Sequence, residues 1–465
     1  MSSIVDVSVA LPSLTQFIEV ITLRSGFNST SVILGTTFLG VAAGVIGTYS
    51  LLRKRALVGD ALAHCTLPGL AGAFLLAHFV GASGKSLPLL LFGATISGIL
   101  GVLTIQALTS WTRIKEDAAI GAVLSCFFGF GIVLISLIQE LGAGGEGGLT
   151  HFIYGQTAAI SRQDSFITLM LAIFASVCAL LFTKEFRLVC FDHEYAAAQG
   201  WPVGRIDLLL MTLVVLVTVI GLQSVGLLLI IALLIIPPCT ARFWTEKLRF
   251  MVPLAAVFGG LSGYLGAVSS ALFPRLPAGA IIVLIAGAFF LLSFLLAPER
   301  GLLAGALRLL RLRLRIAVDH LLREIYEELE PIAGLATTLR PLSRNSLFTV
   351  RSWSPFLSTM VFLVLKYRGL IINDKRRGEL SLTPRGLTEA TKLIRNHRLW
   401  EEFLLSYGRV AANHVDYSAD LVEHVLSPSV VERLLETLRA QGRLPEDLVP
   451  LQPLPSAHPT LRGSG

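Results

Sequence analysis

The chain has 465 residues, 54% of them hydrophobic and 15% charged, with a formal net charge of +7 and a mean hydropathy of +0.72. Soluble domains carry about 25% charged residues, so a wholly soluble protein is excluded and a polytopic membrane protein is expected. The five cysteines (Cys65, Cys126, Cys178, Cys190 and Cys239) show no CxxC spacing, which argues against a disulfide framework and a cysteine zinc site.

In chain order, residues 1–30 form a short amphipathic lead-in. They carry Asp6 and Glu19 and lack the basic region that precedes a secretory signal core. Apolar runs of spanning length then appear at 31–52, 57–80, 87–110, 118–140, 165–183, 206–222, 225–241, 251–273 and 278–297, about nine transmembrane helices. The sixth and seventh runs read either as one long helix or as two crossings broken around Gly221–Gly226. With nine crossings and the amino terminus outside, the inside loops hold 11 Lys and Arg residues and the outside loops 4. That bias places everything after 297 in the cytoplasm. Glycines at 35, 40, 44 and 47 in the first run, and at 93, 98 and 101 in the third, are spaced for close helix packing.

The second run, within "RKRALVGDALAHCTLPGLAGAFLL", holds Asp60 and His64. Four residues apart on a helix, they lie one turn apart on one face. A carboxylate in mid-span costs about 2.5–3.5 kcal/mol on insertion scales, which marks a pathway or a polar partner. Two readings stand from spacing alone. The pair offers an oxygen and a nitrogen donor to Mn²⁺, Fe²⁺ or Zn²⁺, or Asp60 pairs with Arg53–Arg55 and His64 is a core histidine. "GASGKS" (81–86) lacks the GxxxxGK[ST] spacing of a phosphate loop, so ATP hydrolysis is assigned to another subunit and no enzyme activity to this one.

Two further stretches share the order and spacing of a known family: "FDHEYAAAQGWPVGRID" (191–207) and "VGLLLIIALLIIPPCTARFW" (225–244). With the Asp60/His64 helix they resemble the permeases of metal-ion ABC importers, which carry zinc, manganese or iron. The resemblance covers 31–297 and implies a two-fold pore, a separate ABC ATPase, an extracytoplasmic metal-binding protein and an inner-membrane location. It implies that Asp60 and His64 line the metal pathway, and that Asp192, Glu194 and Gly200 belong to the helix that docks on the ATPase.

Residues 298–465 hold 23 Lys and Arg against 18 Asp and Glu, a charged module unlike the part before it. Residues 298–342 begin as an amphipathic linker helix. Its Arg308, Arg311, Arg313 and Arg315 suit either the headgroups of an anionic leaflet or an ordinary linker. Residues 343–383 read as a winged helix: Ser354 as N-cap, Pro355 at the first helical position, a helix to Gly369, then two short strands around Lys375, Arg376 and Arg377. Ser354, Thr359, Lys366 and the basic turn are the candidate contacts to operator DNA.

Residues 384–440 contain "NHRLWEEFL" and "ADLVEHVLSP" after "LTPRG", and in them His397/Glu401 and Asp420/His424 are i,i+4 donor pairs, with Glu423 adjacent. Surface ion pairing with neighbouring arginines is the other reading of that spacing. These stretches resemble the metal-sensing dimerisation region of the manganese- and iron-responsive repressors of the diphtheria-toxin-repressor superfamily. The resemblance implies that His397, Glu401, Asp420, Glu423 and His424 bind a regulatory metal, with His320 at the amino-terminal ligand position. Asp420, a carboxylate where iron-type members have cysteine, favours Mn²⁺. Arg323, in contrast, stands where manganese-type members carry glutamate. Residues 441–465 are proline-rich and expected to be disordered. The expectation is therefore an all-α polytopic membrane domain followed by a cytoplasmic winged-helix and helical metal-sensing domain. Together they make a permease for Mn²⁺ foremost, with Fe²⁺ or Zn²⁺ as the alternative metals, fused to a metal-responsive regulator. A secondary transporter and a membrane-anchored sensor are the alternatives.

Overall fold

The computed structural model describes residues 13–24, 26–53, 56–80, 87–140, 162–273, 276–329, 342–343, 355–374, 379–407 and 428–440. The chain divides into two compact units, Met1–Gly305 and Ala306–Gly465.

The first unit is all-helical: α1 (Leu14–Ile21), α2 (Phe27–Leu52), α3 (Ala56–Phe79), α4 (Leu87–Trp111), α5 (Glu116–Glu140), α6 (Arg162–Leu181), α7 (Thr183–Phe191), α8 (His193–Ala198), α9 (Val203–Val225), α10 (Leu227–Trp244), α11 (Leu248–Leu272) and α12 (Ala278–Leu296). Among the described residues, α2, α3, α4, α5, α9, α11 and α12 are long and apolar enough to cross a membrane. The expected span 165–183 proves to be a bent pair: α6 and α7 meet at 64° and bring the count to eight if taken together. The bend falls where Lys184, Glu185 and Arg187 begin, charges that cannot follow the hydrocarbon. Among the described residues, seven or eight of the nine expected spans thus meet the length and composition of a crossing. The remaining run, α10, has 18 residues, about 27 Å at 1.5 Å per residue, against a hydrocarbon core of about 30 Å.

The ambiguity between the sixth and seventh runs is resolved at Gly226, whose φ of +91° breaks the helix. Ile230 of α10 lies back against Gly221 of α9, so closely that a Cβ at Gly221 would overlap it. One continuous helix would hold these residues more than two turns apart, so the chain folds back on itself here.

Glycine spacing decides the tightest packing. Gly40 and Gly259 face one another on α2 and α11 with no room for a Cβ on either, and Gly44 meets the Ala255 backbone in the same way. Thr36 Oγ1 donates to the Gly263 carbonyl at 3.2 Å in this seam. Gly69 and Gly93 do the same for α3 on α4. The core built around these contacts includes Leu39, Ile46, Tyr49, Leu62, Val215 and Leu233.

The second unit contains most of α13 (Leu302–Leu329), then β1 (Leu342–Ser343), α14 (Pro355–Tyr367), β2 (Ile371–Asp374), β3 (Glu379–Leu382), α15 (Pro384–Tyr407) and α16 (Pro428–Ala440). The strands form an antiparallel sheet of order β1-β3-β2, with Ile371 opposite Leu382 and Leu342 opposite Leu380. Val318, Leu321 and Ile325 of α13 close a core with Val361 and Leu365 of α14, Leu380 and Leu382 of β3, and Ile394 of α15. The α14 helix ends at Gly369, whose φ is +66°. "LTPRG" has a local explanation. Thr383 Oγ1 accepts from Gly386 N at 2.9 Å as N-cap of α15, Pro384 takes the first helical position, and Gly386 abuts the Leu370 backbone where a Cβ would not fit.

Candidate metal pathway and tail site

Helix α3 presents Asp60 and His64 as the sequence places them. His64 Nε2 lies 3.6 Å from Asp60 Oδ1, and the side chains are 20% and 43% exposed respectively. That spacing is too long for a hydrogen bond and close to the ~3.3 Å between two tetrahedral ligands of one ion with bonds of about 2.0–2.1 Å. His64 Nδ1 is buried without a hydrogen-bond partner, a cost of about 1–3 kcal/mol. The ring meets Phe128 of α5 edge-on at 5.0 Å. Pro68 sits one turn further along α3 and has no N–H to give the His64 carbonyl. The same face therefore holds a backbone oxygen that its own helix does not satisfy in the usual way.

The reading in which Asp60 pairs with Arg53 does not match the geometry. Arg53 Nε donates to Asp207 Oδ1 at 3.0 Å, and Arg53 Nη2 lies 3.1 Å from His193 Nδ1. Lys54 and Arg55 lie outside the described residues. The Arg53–Asp207 pair was not singled out in the sequence. Its only signal was an acid, in "GRID", at the start of an apolar run. Arg53 precedes α3 by three residues, Asp207 is in the second turn of α9, and His193 opens α8, so one guanidinium ties three elements together.

Asp192 is the N-cap of α8, accepting from Tyr195 N at 2.8 Å. Glu194 is exposed in the first turn, and Gly200, at φ +80°, ends the segment. Phe191, Tyr195 and Trp201 are exposed around this short helix. Beside it a cavity of about 770 Å³ is lined by residues including Tyr49, Thr183, Arg187, Asp192, Lys247 and Arg249.

In the tail, His397 is buried on α15 and faces Arg323 of α13. Arg323 Nη1 lies 3.0 Å from His397 Nδ1 and 3.4 Å from Nε2. Arg323 Nε is 3.3 Å from Glu327 Oε1, one turn along its own helix. His320 is half-buried on α13. Glu401 is on α15 one turn after His397, but its side chain lies outside the described residues, as do Asp420, Glu423 and His424. Among the described residues no group of three His, Cys, Asp or Glu side chains converges to hold a metal ion. Thr359 and Lys366 are exposed on α14. Ser354, Lys375, Arg376 and Arg377 lie outside the described residues, as do residues 441–465.

Known proteins share both parts of this architecture. The model of the ABC 3 transport family matches residues 28–297. The chain belongs to the ABC 3 transport family. As a member it is a multi-pass membrane permease subunit of an ABC transporter and not the ATPase. This permease carries a second match, the iron dependent repressor, metal binding and dimerisation domain, at residues 383–446. It is 38% identical over 420 residues to the manganese transport system membrane protein MntC of Bacillus subtilis (strain 168), covering 90% of this chain and 93% of the relative. It is 40% identical over 281 residues to the zinc transport system membrane protein TroC of Treponema pallidum (strain Nichols), covering 60% of this chain and 93% of the relative. Among solved structures, PsaBC from Streptococcus pneumoniae in complex with Fab matches 62% of this permease and 98% of that chain, with a TM-score of 0.53 and 32% identity.

Proposed function

We propose that this permease moves a divalent transition metal, Mn²⁺ foremost, inward across the inner membrane through a route lined by Asp60 and His64. The observation that carries the proposal is the pair itself. A carboxylate and an imidazole stand 3.6 Å apart on α3, the acid partly exposed and not held by Arg53. Bound manganese and zinc both accept such oxygen and nitrogen donors, and relatives named for manganese and for zinc are among those this chain matches. One protomer supplies two side-chain ligands, and a second permease subunit on a two-fold axis would bring two more to a shared pore. In that setting the cation exchanges hydration water for Asp60 and His64 ligands, and moves on when the subunits rearrange.

The remaining parts have roles in the same reading. An extracytoplasmic metal-binding protein delivers the ion. A separate ABC ATPase docks on α8, where Asp192 holds the helix start, Glu194 faces outward and Gly200 turns the chain, with exposed aromatic side chains around them. With α10 counted as the ninth crossing, the tail is cytoplasmic. Residues 298–342 would link the spans to it along anionic headgroups. Residues 343–383 would form a winged-helix-like unit and 384–440 a repressor-type dimerisation unit. His397, Glu401, Asp420, Glu423 and His424, with His320, are the tail's ligand candidates, and operator DNA is the partner its helix–hairpin layout would take.

The energy source separates this proposal from a secondary transporter. In vesicles holding the permease with its ATPase, Mn²⁺ uptake is expected to require ATP. Uptake driven by a proton gradient without nucleotide would overturn the proposal.

A further inference from the structure

The cavity of about 770 Å³ beside α8 lies between α7 and the start of α11. Its volume falls in the range of about 300–1,000 Å³ usual for ligand cavities. Two kinds of chemistry line it. Leu180, Leu188, Val252 and Pro253 are apolar, while Arg187, Lys247 and Arg249 bring three exposed cations to the same space. Among the described residues none of these three side chains has a carboxylate within ion-pair distance. Arg249 rests over the Phe250 ring, 4.6 Å from its centroid, a contact that uses the guanidinium face and not its N–H groups. Two acids also line the cavity, and both are engaged. Asp192 Oδ1 accepts from Tyr195 N at 2.8 Å, and Glu246 Oε1 accepts from Arg300 Nε at 3.0 Å, with Arg300 outside the lining. The cavity is left with a surplus of positive charge.

Arg187 comes just after α6 ends at Leu181, and Lys247 and Arg249 flank the start of α11 at Leu248, so all three cations mark the ends of apolar helices. With α10 counted as a crossing, both ends face the cytoplasm, at the depth of the inner leaflet's anionic headgroups. We propose that this cavity binds an anionic phospholipid, whose phosphate meets Arg187, Lys247 and Arg249 and whose acyl chain lies along Leu180, Leu188 and Val252. The cations and the apolar wall together decide between occupants. A soluble phosphate would use the cations and leave the wall in water. An uncharged lipid would cover the wall and leave three cations unmatched. Only an amphipathic anion satisfies both, and the membrane supplies one at that depth. A lipid seated there bridges α7 and α11 next to α8. The proposal rests on the cytoplasmic placement of these helix ends and makes no use of Asp60 or His64.

The purified full-length permease in detergent is mixed with phosphatidylglycerol or with phosphatidylcholine, and bound lipid is measured by native mass spectrometry, a readout that depends on neither orientation nor transport. The parent is expected to retain phosphatidylglycerol in preference to phosphatidylcholine. Arg187→Gln/Lys247→Gln/Arg249→Gln is expected to weaken phosphatidylglycerol binding on the order of tenfold or more. Arg113→Gln/Lys115→Gln/Arg205→Gln, which removes three exposed cations outside the cavity, should leave binding at the parental level. Equal loss in the two triple variants would reduce the effect to surface charge and overturn the proposal. Displacement of the lipid by an equal concentration of glycerol phosphate would assign the cavity to a soluble phosphate. Undiminished lipid on a cavity variant that no longer copurifies with the ATPase would assign it to that subunit. Either result overturns the proposal as well. Should the cavity triple variant fail to fold, Lys247→Glu alone is read against the same outcomes.

Discussion

At the scale of single residues, the decisive contacts are made by arginines. Arg53 turns to the buried Asp207 rather than to Asp60. Removing one partner of a buried ion pair strands the other charge, at about 3–5 kcal/mol. Arg53→Ala is therefore expected to lower the thermal midpoint of the purified permease by several degrees. The double variant Arg53→Ala/Asp207→Asn should recover part of the loss, and an undiminished midpoint in the single variant would contradict the ion-pair account. The sequence showed Asp60 and His64 because two polar residues one helical turn apart stand out in an apolar run. It did not show the partners of Arg53 or the contact of Arg323 with His397. Those residues are 154 and 74 positions apart, and no local pattern encodes such a meeting.

At the scale of elements, helix existence followed from apolar length, and helix shape did not. The runs at 31–52 and 278–297 became α2 and α12 with ends shifted by a few residues. The run at 165–183 became a bent pair, because charges enter the sequence at Lys184. The run at 225–241 became a short helix folded back at Gly226. Small residues set how closely these helices approach, and the α2–α11 seam is the sharpest case. Gly40→Val is expected to force the two backbones apart at a cost of about 1–3 kcal/mol or more, read as lowered yield and thermal midpoint. Gly72→Val, where a Cβ meets nothing within 4 Å, should leave both unchanged. A further link joins the α10–α11 turn to the segment after α12, where Arg300 Nε donates to Glu246 Oε1 at 3.0 Å. The hydrogen bond from Arg300, and then its charge, hold the Glu246 carboxyl below its ordinary value of 4.5. A carboxylate depressed in the folded state stabilises above its unfolded pKa, and that contribution is lost as pH falls through the lower folded value. Glu246→Gln should therefore alter stability near neutral pH and converge with the parent in acid. Because the pair is exposed the difference is small, and added salt should shrink it.

At the scale of the whole molecule, two units with different chemistry share one chain. The division was legible from composition, since charged residues concentrate after residue 297, and from motifs that survive as capped helix starts and glycine turns. The close approach of Gly69 and Gly93 seats α3 on α4, and the Arg53 junction lies just before its first turn. The account's central claim is that this helix offers Asp60 and His64 to a passing cation. Radiolabelled Mn²⁺ uptake into cells, measured at equal membrane abundance for the parent, Asp60→Asn and His64→Gln, tests that claim most directly. Each nearly isosteric change is expected to cut initial uptake on the order of tenfold or more, as loss of a direct ligand should cost at least what loss of its supporting shell does. Parental uptake in both variants would contradict it.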